Sequence, residues 1–139
     1  MPAVVTERTW SVLVSHSALG ARAARHRLAD ELADVVRPAL LADVVAVLAE
    51  LVGNAVRHAD PLPGDVVRVA WRVRGEVEAD AVEVRVTDGG SAAVPRVRTV
   101  GPDSIGGRGL SIVAALSRRW GVERGSRGQS VWAEVCRPG

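Results

Sequence analysis

Lysine, phenylalanine and tyrosine are absent from the 139 residues, and asparagine, cysteine and methionine occur once each. Without lysine there is no phosphate-loop lysine and no Schiff-base nucleophile, so two catalytic mechanisms drop out at once. The single cysteine, Cys136, can form no internal disulfide, which makes the reducing cytoplasm the expected compartment. No signal peptide opens the chain, and its apolar runs read as shorter than a membrane span. The missing residue types have AT-rich codons, whereas arginine, alanine, glycine and valine have GC-rich ones. The deficits therefore read as genome bias and not as a functional signal.

What remains is globular in kind. Hydrophobic residues make up 47 % and charged residues 24 % of the chain, close to the averages of folded domains. A chain of this length suits one domain over 1–139 with a real core and no need of staples. All 18 basic residues are arginine, and the net charge is +2. The surplus is local: residues 96–139 carry eight arginines against three acids. Such a positive third can hold a polyanion, although no nucleic-acid-binding fingerprint accompanies it.

Periodicity predicts the elements in order. Residues 5–14 form a strand with Trp10, Val12 and Val14 on one face, and Ser15 or Ser17 caps a helix over 18–36. Pro38 opens a second helix reaching His58, with Leu41, Val44, Val45, Leu48, Leu51, Val52 and Ala55 as its apolar stripe. Strands follow over 66–73 and 81–87, then an irregular loop over 88–109, which is long enough to suggest function. A helix over 110–120 and strands near 121–124 and 130–136 close the chain. The pattern predicts an α+β two-layer sandwich, with helices on one face of a mixed, mainly antiparallel sheet.

Chemistry concentrates at three places. Glu50, Asn54 and His58 follow one another at four-residue steps, hence along one line of the second helix. At about 100° per residue that line borders the apolar stripe, at the rim of the core. Gly53 costs the helix about 1 kcal/mol relative to alanine, so a close approach beside it is expected. Asp88 ends a strand and precedes Gly89 and Gly90, where a carboxylate can accept from a ligand amine and a flat ring can approach the backbone. Gly106, Gly107 and Gly109 flank Arg108 just before a helix, an arrangement of backbone N–H groups that cradles phosphate. Taken singly, each is also compatible with an ordinary helix flank, an Asp-Gly turn or a helix-opening loop. His16 and His26 read as surface residues.

In this order, ELVGNAVRHA (50–59), VTDGG (86–90), GGRGLSIV (106–113) and GQSVWAEV (128–135) resemble the Bergerat ATP-binding fold of gyrase, Hsp90, histidine kinases and MutL. They look most like its small stand-alone branch of anti-sigma factor serine/threonine kinases, and the resemblance spans nearly the whole chain. It implies ATP and Mg²⁺ as cofactors. Asn54 would coordinate the metal, Glu50 would be the general base, and Asp88 would accept from the adenine amine beside Gly90. A lid over about 89–109 would close on the phosphates through Gly107, Arg108, Gly109 and Leu110. Ser130 would support Asp88, and His58 would shape the pocket. One departure stands out: the adenine motif usually continues with a glycine where this chain has Ala92.

The implied activity is transfer of the ATP γ-phosphoryl to a serine or threonine of an antagonist protein, with regulation of a sigma factor. The alternative is a non-catalytic ATP sensor that presents a protein-binding surface. The chain is too short for a gyrase or Hsp90 subunit and lacks a dimerisation helix with a phosphoacceptor histidine, so a free-standing domain is expected. Its implied partners are the antagonist and the sigma factor, with a homodimer through the first strand and helix as a further option. Neither nucleic acid nor membrane is an expected partner, since the phosphates of ATP account for the basic third.

Overall fold

The computed structural model describes residues 6–75, 80–90, 110–126 and 128–136. Its elements are β1 Thr6–Ser15, α1 Ala18–Leu32, α2 Pro38–His58, β2 Val66–Gly75, β3 Ala81–Asp88, α3 Leu110–Leu116, β4 Arg119–Gly125 and β5 Gly128–Cys136. The strands form one sheet in the order β1-β2-β3-β5-β4. All four pairings are antiparallel, so the described strands include no parallel step of the kind a mixed sheet would have. Among the described residues, three helices pack on this sheet, the α+β sandwich that the pattern predicted.

Local chemistry sets most boundaries. The Ser17 hydroxyl accepts from Gly20 N–H at 3.1 Å and caps α1. That helix stops at Leu32, earlier than expected, and Arg37, which precedes Pro38, takes an extended conformation. Its last turn closes with Val35 and Val36 N–H donating to the Leu32 carbonyl. α3 is also shorter than predicted: Trp120 leaves it to pair with Ala133 across β4 and β5.

Strand alternation divides the sheet into two faces. Val67, Val69, Trp71, Val73, Val82, Val84, Val86, Val131, Ala133 and Val135 point into the core under the helices. Trp10 stacks on its cross-strand partner Trp71 with ring centroids 6.3 Å apart. The other face is laced by Arg72–Glu83, Arg85–Glu123 and Arg119–Glu134 ion pairs at 2.9, 2.8 and 3.2 Å, the dressing of a sheet face that meets water.

α2 is the central helix, touching α1, α3, β2, β3 and β5. Its stripe is wider than the sequence indicated: Leu40 and Val47 are fully buried, while Leu41 and Val45 are half-buried. It has 21 residues, and an 18-residue window of it has a mean hydropathy of 1.9, long and apolar enough to cross a membrane, which corrects the expectation that no run approaches that length. Half of that stretch is buried against the other elements, as in the core helix of a folded domain.

Candidate functional site

The widened stripe of α2 changes the character of the Glu50–Asn54–His58 line. Glu50 is half-buried, Asn54 is buried at 8 % exposure, and His58 is exposed. Asn54 stands seven residues after Val47 and fourteen after Leu40, both buried, so it belongs to the core-facing side and not to the rim.

A narrow cleft opens between the C-terminal half of α2 and the ends of β3 and β5. Its polar lining is Asn54, His58, Asp88 and Gln129, over a floor of Leu51, Val86 and Val131. Glu50, one turn earlier, is not part of that lining. The structure thus brings Asp88, distant in sequence, beside Asn54 and His58 of α2 in one cleft.

Asp88 is held there by backbone on both sides. At 3 % exposure, its Oδ1 accepts from Gly90 N–H at 2.7 Å. Gly90 has φ +93°, a conformation that L side chains rarely adopt. Gly89 N–H donates to the Asp60 carbonyl at 2.7 Å, and Asp60 N–H donates to the Gly90 carbonyl at 3.0 Å. The strand end is therefore laced to the loop that follows α2. A Cβ on Gly89 would collide with the Pro61 carbonyl, and one on Gly128 with the Asp88 carbonyl. These two glycines let three segments meet around the carboxylate.

Both amide atoms of Asn54 are buried without a hydrogen-bond partner among the described residues, as is Gln129 Oε1. Such orphaned groups are costly and rare in folded proteins. Here they border one cleft of about 10 Å³, room for about one water. The described residues contain no cluster of three histidine, cysteine or acidic side chains able to hold a metal. A divalent ion would rest on Asn54 Oδ1 and on oxygens brought by the ligand. That donor set suits a hard cation such as Mg²⁺, which keeps few protein ligands and shares phosphate oxygens.

Several sequence expectations change. Ser130 does not support Asp88: its hydroxyl lies 2.7 Å from Thr87 Oγ1 on the outer sheet face, and Gln129 is the strand partner of Asp88. Gln129 was overlooked, although it has the same strand parity as the buried Val131, Ala133 and Val135. His16 is not a surface residue: half-buried, it donates from Nε2 toward the Ala55 and Ala59 carbonyls at 3.0 and 2.9 Å, at the C-terminus of α2. The group approaching Gly53 is the Arg57 guanidinium of the same helix. Leu110 opens α3 and places its side chain, 2 % exposed, in the hydrophobic core. Ala92, Gly107, Arg108, Gly109 and the lid after Gly90 lie outside the described residues.

Comparison with known proteins agrees with this architecture. Residues 15–135 match the model of the family described as "Histidine kinase-like ATPase domain". No curated protein matches the chain. Among solved structures, it is similar to the crystal structure of the RsbU and RsbW domains of Rv1364c from Mycobacterium tuberculosis. That likeness has a TM-score of 0.69 at 21 % identity over 94 % of this chain. The chain spans only 33 % of that longer protein's length.

Proposed function

The chain belongs to the histidine kinase-like ATPase domain family, and from that premise we propose that it binds Mg·ATP and transfers the γ-phosphoryl group to a serine or threonine of a partner protein. The partner would be an antagonist in a sigma-factor switch of the anti-sigma kinase type. The likeness to a structure containing an RsbW domain supports the branch. The observation that carries nucleotide binding is the buried, unpartnered amide of Asn54 in one cleft with Asp88.

The residues divide the work by chemistry. Asp88, an acceptor on a braced strand end, receives the exocyclic amine of adenine, while Gly90 leaves the ring room to approach. Asn54 Oδ1 is the metal ligand; bound Mg²⁺ would neutralise charge on the phosphate oxygens. Glu50 orients the attacking hydroxyl and takes its proton as the new O–P bond forms and the bond to the β-phosphate breaks, releasing ADP. His58 lines the mouth of the pocket. Arg108, with Gly107 and Gly109, would complete the phosphate side.

The test is phosphotransfer from γ-labelled Mg·ATP to candidate antagonist domains, with wild type and Glu50→Gln. Labelled serine or threonine that disappears in Glu50→Gln, with ATP affinity retained, supports the kinase. Full transfer by Glu50→Gln would remove Glu50 as base. A second reading, an ATP sensor without phosphotransfer, is favoured by the position of Glu50 outside the cleft's lining. It predicts an ATP-dependent change in partner affinity and no labelled product.

A further inference from the structure

We propose that the sheet face opposite the helices carries a second ligand site, a groove that takes a small carboxylic acid with an aliphatic body. The groove shares no lining residue with the cleft around Asp88, so the proposal stands apart from the nucleotide reading.

Strand register builds the floor. Leu13 of β1 pairs with Arg68 of β2, Arg68 with Thr87 of β3, Thr87 with Ser130 of β5, and Ser130 with Glu123 of β4. One row of side chains therefore crosses all five strands on the face away from the helices. Over this row lies a hollow of about 940 Å³, within the range of small-molecule sites. Leu62, Pro63 and Val66, from the segment after α2, wall it at the strand ends, beside the turn from β4 to β5. Leu62 Cδ2 lies 3.5 Å from where a Cβ on Gly128 would stand, so that segment and β5 meet there. A hollow bounded in this way suits a compact molecule better than a chain passing through.

Two features give the chemistry of the ligand. The first is a positive charge left unbalanced. Arg72, Arg74, Arg85 and Arg119, on the same face, each pair with an acid of another strand. Arg68 has no such acid among the described residues, and its row neighbours are Leu13 and Thr87. Beside it, the Thr87 and Ser130 hydroxyls lie 2.7 Å apart. One O–H donates within that pair, and the other keeps its hydrogen for a ligand. A guanidinium fork and a neighbouring hydroxyl can share one carboxylate. Glu123 also lines the groove, but Arg85 neutralises it at 2.8 Å. The second feature is uncovered apolar surface: Leu13 is 54 % exposed and shares the groove with Leu62, Pro63 and Val66. Covering such surface is favourable. A carboxylate on an aliphatic body satisfies both halves, whereas a bare anion or a neutral apolar molecule satisfies one.

The experiment is a titration of the isotope-labelled full chain, without nucleotide, followed by backbone amide shifts in NMR. The probes are hexanoate, 1-hexanol and acetate, which supply both halves of the ligand, the apolar half and the charged half. Hexanoate should shift the Leu13, Arg68, Thr87 and Ser130 amides saturably, with a millimolar Kd as suits so small a ligand. Each control should bind about tenfold more weakly, the worth of one charge-assisted contact or of a covered alkyl chain. Arg68→Met keeps an exposed, unbranched side chain and should bind hexanoate no better than 1-hexanol. The site is overturned if hexanoate leaves those four amides unmoved, or if wild type binds either control as tightly. A preference for hexanoate over 1-hexanol that survives in Arg68→Met would overturn it equally. The wild-type comparison changes only the probe, so it decides the matter even if the variant fails to fold.

Discussion

The imidazole of His16 donates to the carbonyl of Ala59 at 2.9 Å, joining the turn after β1 to the residue that caps α2. The same nitrogen lies 3.0 Å from the Ala55 carbonyl, which also accepts from the Ala59 N–H at 3.3 Å, so one side chain reaches two carbonyls of the helix end. The turn carrying Asn54 and His58 is anchored from outside the helix.

Replacing His16 by alanine should therefore cost about 1–2 kcal/mol, the range for losing a part-buried hydrogen bond. Urea unfolding should show a lower midpoint at unchanged slope. An unchanged midpoint would mean the contact adds nothing to stability.

The glycines around Asp88 are expected to behave unlike the glycine in α2. Gly89→Ala and Gly128→Ala place a methyl against backbone carbonyls and should each destabilise by about 1–3 kcal/mol. Gly53→Ala meets only the far end of the Arg57 side chain, with Nη1 at 2.9 Å from the new carbon. That guanidinium can move, and a mid-helix Gly→Ala change is worth about 0.5–1 kcal/mol of added stability. Thermal unfolding of the three variants checks both signs.

Asn54 should trade function against stability. Asn54→Leu removes two orphaned polar atoms, and an apolar replacement of similar shape is nearly neutral or stabilising. The ligand-free variant should melt at or above the wild-type temperature yet lose its response to Mg·ATP. A variant that melts well below wild type without ligand would show that the amide has a partner in the folded chain.

Nucleotide binding itself should be visible as stabilisation. Mg·ATP at a hundred times its Kd adds about 2.7 kcal/mol, a shift of several degrees for a domain of this size. Asp88→Ala should abolish the shift, since it removes the acceptor for the base. Persistence of the full shift in Asp88→Ala would place the base elsewhere.

Much of the site was legible because its signals are local. Asp88 followed by two glycines announces a strand end that turns sharply, and Asn54 four residues after Glu50 announces a shared helix line. Neither depends on what packs nearby. Ser130 was misread for the opposite reason. Adjacent strand residues face opposite sides of a sheet, so a shift of one position exchanges the cleft for the solvent face. Pairing with β3 decides that Gln129, and not Ser130, stands beside the carboxylate.

Sequence by itself determined the order of elements, the α+β class and the identity of the groups with chemistry, because period, caps and glycine placement act over a few residues. Only the tertiary structure decided how deeply Asn54 is buried, what His16 holds, and which residue of β5 faces Asp88. Each of those depends on the register and packing of segments far apart in the chain, where hydrophobic burial and strand pairing overrule what any short stretch prefers.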